Sequence, residues 1–471
     1  MAGGLSADEE QALQLAGAQA IAYRRSVPDR PVTPRIGLDE AVARFRTPLD
    51  EDGIPAEQVI NTLARDADDG LNQMSGPNFY GYVLGASHPV GVAADMLVSA
   101  WGQNAGSAYE TPAITGMERA VCDWVINLLG LPHDSGAGIV TGATAANMAG
   151  IMAARNALLA AQGWDVEARG LFGAPEIPVL VGDAAHSAPI AGLRYAGLGA
   201  ERLVRVPVNA EGQILPDAFL DALNTCERPP LVVLQAGQIN SGAFDPFAEI
   251  IPAVHEKGGW VHVDGAFGLW LAAVPELADR LRGVELADSW AVDLHKWLNA
   301  PFDAGMVICR DRAPLVRSMS ARGAYLPELT AHWEPADSTP ELSRRARGVP
   351  SYAILRHLGR KGVRELVARH CRLAARVATA LGAVPGVTIL NTVHCNQVAI
   401  TFGQGAVGDR QTDAVLRIIQ QRGKVYPTHG AWRGRHIIRV SIIGYATMDS
   451  HIDRLIDEIT LAWQQVQGSE R

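Results

Sequence analysis

Two rhythms of apolar and polar positions run along this chain, and the change from one to the other marks its organisation. In the middle of the chain, short apolar runs occur at Gly138–Thr141, Pro178–Gly182, Leu231–Leu234, Trp260–Val263, Ser289–Val292 and Gly305–Cys309. Segments of helical length separate them. Short β-branched runs spaced by helices predict a mostly parallel central sheet with helices on both faces. After about Pro350 the pattern changes to a long helix near Tyr352–Leu381, strands at Asn396–Phe402 and His436–Ile443, and a helix around Gln411–Arg422. The closing segment sets Ile452, Leu455, Ile456, Ile459 and Trp463 on one face at a 3.6-residue period. Ahead of the sheet, residues 6–24 have helical composition, Pro28, Pro31 and Pro34 mark an extended linker, and a short helix is expected near Leu38–Arg46. The expected class is α/β, with a helical arm over 1–75, a large α/β domain over 76–350 and a small α+β C-terminal domain over 351–471.

Composition narrows the picture. At 471 residues the chain exceeds the length at which one core divides, so two or three domains are expected. A formal charge of −9 gives no footprint for nucleic acid or an anionic membrane. Cys122, Cys226, Cys309, Cys371 and Cys395 are scattered and form no CxxC pair, which argues against a disulfide framework or a cysteine zinc site and suits a reducing cytoplasm. The acidic start has no apolar signal core, and there is no run of 18 apolar residues to span a membrane.

The chemistry is carried by Asp-Leu-His-Lys-Trp at 293–297, read with Val-His-Val-Asp-Gly-Ala-Phe at 261–267. An unpaired ammonium between apolar segments is costly, so Lys296 needs a chemical reason to be there. With its charge removed, the ε-amine can hold a carbonyl cofactor as an imine. Pyridoxal phosphate is the natural choice, because it also needs a carboxylate to keep its ring nitrogen protonated. Asp264 ends a strand-like run upstream and supplies one. The phosphate needs amide donors at a helix start, and Gly138-Ile-Val-Thr-Gly-Ala-Thr-Ala-Ala offers a strand, a tight turn at Gly142 and an alanine-rich helix. Ala143 and Thr144 are the expected phosphate contacts; an ordinary strand–helix turn is the alternative.

These residues also resemble a family, the group II pyridoxal-phosphate amino-acid decarboxylases, which include the aromatic-L-amino-acid and glutamate decarboxylases. The likeness rests on Asp264-x-Ala266, His295-Lys296-Trp297, Glu110-Thr-Pro-Ala-Ile-Thr-Gly-Met-Glu118, Trp124 through Gly130-Leu-Pro132, Ser343-Arg-Arg-Ala-Arg347 and Arg439-Val-Ser-Ile, in the family's order. It implies a fold-type-I, pyridoxal-phosphate transferase-like architecture and a homodimer with the active site at the interface. It further implies that His186 stacks on the cofactor ring, that Ala266 packs on the opposite face, and that His295 reaches the phosphate or positions Lys296 by packing. Phe79, Tyr80, Trp101 and Tyr109 fall in segments that line the family's pocket, and favour an aromatic or bulky L-amino acid; the alternative is that they are core residues.

The sequence departs from the family pattern in three places. Gln238 and Ile239 stand where threonines are usual, leaving Gln238 to bond the cofactor's phenolic oxygen through its amide. Asp293 stands where some members have asparagine at the phosphate; a carboxylate there would repel phosphate unless turned away, so Asp293 is left out of the expected site. The family's catalytic loop carries a tyrosine that returns the proton after carbon dioxide leaves, but residues 326–342 contain none. His332 is the one ring acid there suited to proton transfer near neutral pH, or else an exposed loop residue. Decarboxylation to the amine and carbon dioxide is the expected activity. Oxidative deamination to an aldehyde, or C–C lyase chemistry, is the alternative on the same scaffold. A non-catalytic relative would not be expected to keep Lys296, Asp264 and His186.

Overall fold

A computed structural model of the chain describes residues 4–49, 51–320 and 334–469. Its larger sheet has seven strands: β1 (Gly136–Val140), β2 (Val179–Gly182), β3 (Leu203–Val206), β4 (Leu231–Gln235), β5 (Trp260–Asp264), β6 (Ser289–Asp293) and β7 (Gly305–Cys309). Their order is β1-β7-β6-β5-β4-β2-β3, and β7 alone runs antiparallel to its neighbours. Alternate residues of these strands divide between two cores. Leu180, Val232, Leu234, Val261, Val263, Trp290 and Val292 join the cluster that includes helix Pro112–Leu128 and helix Phe247–Glu256. Val179, Val181, Leu231, Val233 and Ala291 face the side of helix Ala143–Ala161. Burial on both faces explains why these strands read as unbroken apolar runs.

The smaller sheet is antiparallel, in the order β10-β11-β9-β8, formed by β8 (Val387–Ile389), β9 (Gln397–Phe402), β10 (Thr428–Trp432) and β11 (Arg435–Ser441). Helices Gly405–Arg422 and Asp449–Ser469 cover it, the latter burying Ile452, Leu455, Ile459 and Trp463 as the period requires. Helix Gly348–Gly382 joins the two sheets and breaks at Gly359, whose φ of 60° is left-handed. The sequence reading missed three strands. β3 lies at a sheet edge with an Arg in its centre, β8 has three residues, and β10 reads Thr-His-Gly-Ala-Trp with no β-branched run.

Helices Ala7–Ser26, Leu38–Phe45 and Ala56–Asp68 precede the larger sheet in the chain. Ser6 and Glu9 close a reciprocal capping box on the first. None of the three buries a residue, and Leu13, Leu38, Phe45 and Leu63 are all more than half exposed.

Two family segments meet in the interior. Arg344 Nη1 lies 2.8 Å from Glu118 Oε1 with both side chains buried, and donates to Ala105 O at 2.9 Å. Such a pair holds its segments in register, because leaving either charge alone in the core is costly.

Two buried histidines weaken the fold in acid. His262 is bonded to Ser289 Oγ and Asn147 Oδ1, both at 2.8 Å, while His370 accepts from Trp297 Nε1 at 3.0 Å. Burial pushes each down to about 3. The unfolded chain therefore takes up these protons first, and stability is lost as pH falls below the unfolded value of about 6.5. Asp245, raised by burial to about 6, works in the opposite sense and regains some stability over part of the range. For these three groups taken together the balance between pH 7 and 5 is a loss of about 2–3 kcal/mol, two histidines against one carboxyl. Urea denaturation at the two pH values measures it; equal midpoints would show that these rings are protonated in the folded chain.

Candidate active site

In an open α/β sheet, groups at the carboxyl ends of parallel strands converge on one edge. Gln235, Asp264 and Asp293 are the last residues of β4, β5 and β6, and Lys296 follows three residues after β6. His186 lies just beyond β2, and Gly142 just beyond β1 at the start of helix Ala143–Ala161. The structure thus brings together Lys296, Asp264, Ala266, His186, His295, Ala143 and Thr144.

Lys296 Nζ lies 3.0 Å from Asp293 Oδ2. The same carboxylate accepts from Ala143 N at 2.5 Å through Oδ1 and lies 3.5 Å from His295 Nε2. The expectation that excluded Asp293 is corrected here: a carboxylate at a helix N-terminus is favoured by the dipole, and Lys296 balances its charge. The role expected of Ala143 changes with it, since its N–H is engaged by Asp293. Thr144, one residue on, is exposed. Gly142 allows the close approach, because a Cβ there would come within 2.9 Å of His295 Cε1.

Asp264 is buried, and its Oδ1 accepts from Ala266 N at 3.2 Å. Among the described residues no basic side chain pairs with it. A buried carboxylate without a cation is costly, so the site is built for a positive group that the chain does not supply.

His186 caps helix Ser187–Tyr195, its Nδ1 accepting from Ala188 N at 3.2 Å, while Gln235 Oε1 accepts its backbone N–H at 3.0 Å. Burial holds the ring below the usual imidazole range against the Asp264 carboxylate, which raises it. The ring is therefore neutral near pH 7, and with Nδ1 as acceptor its proton sits on Nε2. His295 is likewise lowered by burial, and its Nδ1 accepts from Ala304 N at 3.2 Å. Lys296 and Arg439 are cations that act on His186, and Arg439 Nε is buried without a hydrogen-bond partner among the described residues.

The remaining expected residues are less uniform. Gln238 Oε1 accepts from Asn240 N at 2.6 Å and Ser241 N at 3.0 Å, so the oxygen braces its own turn and the amide nitrogen remains as donor. Phe79 stacks on Tyr426 at 5.2 Å, and Tyr426 lies near Tyr82, which neighbours Arg439. Tyr80 is corrected to a core residue: it is fully buried in the smaller sheet's cluster, and its hydroxyl donates to His451 O at 3.0 Å. Trp101 and Tyr109 are 45% and 80% exposed and join no core among the described residues. His332 lies outside the described residues. The sequence reading missed Gln235 and Arg439 as members of the site; taking the last residue of each parallel strand would have found Gln235.

The donor set fits pyridoxal phosphate. Lys296 matches an aldehyde, unpaired Asp264 a protonated ring nitrogen, and the start of helix Ala143–Ala161 with Thr144 and His295 a phosphate. Comparison with known proteins agrees. Residues 42–402 match the model of the pyridoxal-dependent decarboxylase conserved domain. Tryptophan decarboxylase 1 of Oryza sativa subsp. japonica is 24% identical over 94% of this chain and 90% of its own. Phenylacetaldehyde synthase of Arabidopsis thaliana is 24% identical over 87% and 85%. The crystal structure of Oryza sativa TDC with PLP and tryptamine superposes with a TM-score of 0.91 at 22% identity, covering 99% of both chains. With its site residues ranged along the strand ends and the family's domain spanning most of its length, this chain belongs to the pyridoxal-dependent decarboxylases, enzymes that use pyridoxal phosphate.

Proposed function

We propose that the enzyme decarboxylates an aromatic L-amino acid to its amine. The observation that carries this is the buried Asp264, paired with no basic side chain among the described residues, at the strand ends that also position Lys296, in a chain of the decarboxylase family. The aromatic preference is supported by relatives named for tryptophan and aromatic-L-amino-acid decarboxylation.

Bound here, pyridoxal phosphate supplies a conjugated ring that accepts the electron pair released when a bond to Cα breaks. Lys296 would hold its aldehyde carbon and Asp264 its ring nitrogen, with Thr144 and His295 at the phosphate, His186 and Ala266 on the two ring faces, and Gln238 Nε2 at the phenolic oxygen. Asp293 keeps Lys296 Nζ in place next to the helix start. Arg439 offers a cation for the substrate carboxylate, and His186 Nε2 a neutral donor on the same side. Together they orient the carboxylate, and orientation selects which Cα bond breaks.

A homodimer is part of this reading. The arm helices leave Leu13, Leu38, Phe45 and Leu63 uncovered, and a second copy would bury them and close the pocket around Trp101 and Tyr109. The division into arm, large and small domains, and residence in the cytoplasm, belong to it as well; all five cysteines are free, and among the described residues no helix is long and apolar enough to cross a membrane. Light scattering at micromolar concentration should give twice the chain mass; an active monomer contradicts it.

A second reading is favoured by the absence of tyrosine in residues 326–342 and by the aldehyde-forming relative. If the proton returns slowly to Cα, dioxygen can take the electrons instead. The amino acid, dioxygen and water then give the aldehyde, ammonia, carbon dioxide and hydrogen peroxide. Incubation with tryptophan, tyrosine, phenylalanine and glutamate, assaying carbon dioxide, amine and peroxide, separates the outcomes. Carbon dioxide matched by amine from an aromatic substrate is expected; turnover of glutamate alone contradicts the substrate assignment, and aldehyde with peroxide establishes the second reading. His332→Ala should lower amine and raise peroxide if His332 returns the proton. Unchanged amine formation would show that the proton comes from elsewhere.

A further inference from the structure

The smaller sheet carries a side-chain cluster that the reaction does not use. His429 lies on β10 and His436 on β11; His429 pairs with Ile438 across the ladder, so His436 is its diagonal neighbour on the same face. Asp413 reaches the same point from helix Gly405–Arg422. Its Oδ2 lies 3.0 Å from His436 Nδ1, and its Oδ1 3.7 Å from His429 Nε2. The imidazoles meet edge to face, with centroids 5.2 Å apart and planes at 87°. One ligand atom from each of the three residues lies within 4.8 Å of the other two.

A lone His436–Asp413 hydrogen bond accounts for only part of this. Among the described residues His429 makes no side-chain hydrogen bond, yet its Nε2 lies 3.7 Å from the carboxylate that His436 already holds. Around a cation with bonds of about 2.0–2.2 Å, tetrahedral ligand atoms stand about 3.4 Å apart, between the two Asp413–His spacings seen. The framework is fixed nearby: Asp409, one turn before Asp413, accepts from His436 N at 3.1 Å and Arg435 Nε at 2.9 Å. β11 is thereby fastened to the helix that brings Asp413.

We propose that Asp413, His429 and His436 form a binding site for a first-row divalent cation of the zinc class, with water completing the coordination. Two imidazoles and one carboxylate suit zinc, cobalt or nickel, whereas calcium and magnesium call for oxygen ligands throughout. The three side chains are between 36% and 52% exposed, so an ion can enter and keep open positions. The bound ion braces the β10–β11 hairpin against the helix. Ala431, the cross-strand partner of His436, meets the larger-sheet side at Asn240, whose Nδ2 donates to Ala431 O at 3.5 Å and which lies two residues from Gln238. The site thus stiffens the element that borders the cofactor cleft.

The test uses tag-free, cofactor-loaded, full-length protein stripped with a chelator and then titrated with zinc against a chromophoric competitor. One zinc per chain is expected, with a raised melting temperature. His429→Ala and His436→Ala should each weaken binding about tenfold or more and abolish the thermal shift. Asp413→Asn, which keeps the side chain's shape, should weaken it as well, and all three variants should melt like the parent in chelator. Cobalt should give visible d–d bands without sulfur charge transfer. Failure to bind one zinc per chain, unweakened binding in both histidine variants, or a thiolate band would each overturn the site.

Discussion

Asp264→Asn is expected to lower turnover by about 10²–10⁴-fold while the cofactor stays bound. Asparagine keeps the shape and can still accept from Ala266 N, as Asp264 Oδ1 does at 3.2 Å. What it removes is the negative charge, in a buried position with no basic side chain paired to it among the described residues. Breaking a buried charge pair costs about 3–5 kcal/mol. At about 1.4 kcal/mol per decade this gives the stated range, provided the charge is needed as the Cα bond breaks. Binding should weaken much less, because Lys296 and the start of helix Ala143–Ala161 are untouched. Equal losses in cofactor affinity and turnover would show that Asp264 merely holds the ring.

Lys296→Ala is expected to have the largest effect, a loss of about 10⁴-fold or more in turnover. A tethered amine acts at an effective concentration that no free amine matches. Added methylamine should restore a small, concentration-dependent fraction, because the empty volume and the rest of the site remain. The variant should also be less stable, since Asp293 is 2% exposed and loses the ammonium 3.0 Å away. That cost is about 1–3 kcal/mol, softened by the bond from Ala143 N. Retention of more than a tenth of the turnover would place the reactive amine elsewhere.

Much of the fold could be read from the sequence because its central strands are buried on both faces. Leu231–Gln235, Trp260–Asp264, Ser289–Asp293 and Gly305–Cys309 stand out as unbroken apolar runs for that reason. Strands at edges gave no such signal: β3 carries Arg205, and β10 has a glycine at its centre. In the site, Lys296, Asp264, Ala266, His186 and His295 were recognisable because motif residues sit at strand ends. Asp293 was misjudged because its repulsion toward phosphate was weighed without the ammonium and helix start that hold it. Gln235 acts through the backbone of His186, a contact that spans 49 residues and leaves no local pattern. Tyr80 shows the converse: an aromatic beside the pocket segment is committed to the core by a hydroxyl bond to His451, 371 residues away.

The most direct test of the account is where the cofactor attaches. Loading the protein with pyridoxal phosphate, reducing with borohydride and sequencing the labelled peptide should place one cofactor per chain on Lys296. The label should be absent in Lys296→Ala and retained in Asp264→Asn. A cofactor fixed to any other lysine, or a protein that remains colourless and unlabelled, would contradict the assignment of the site.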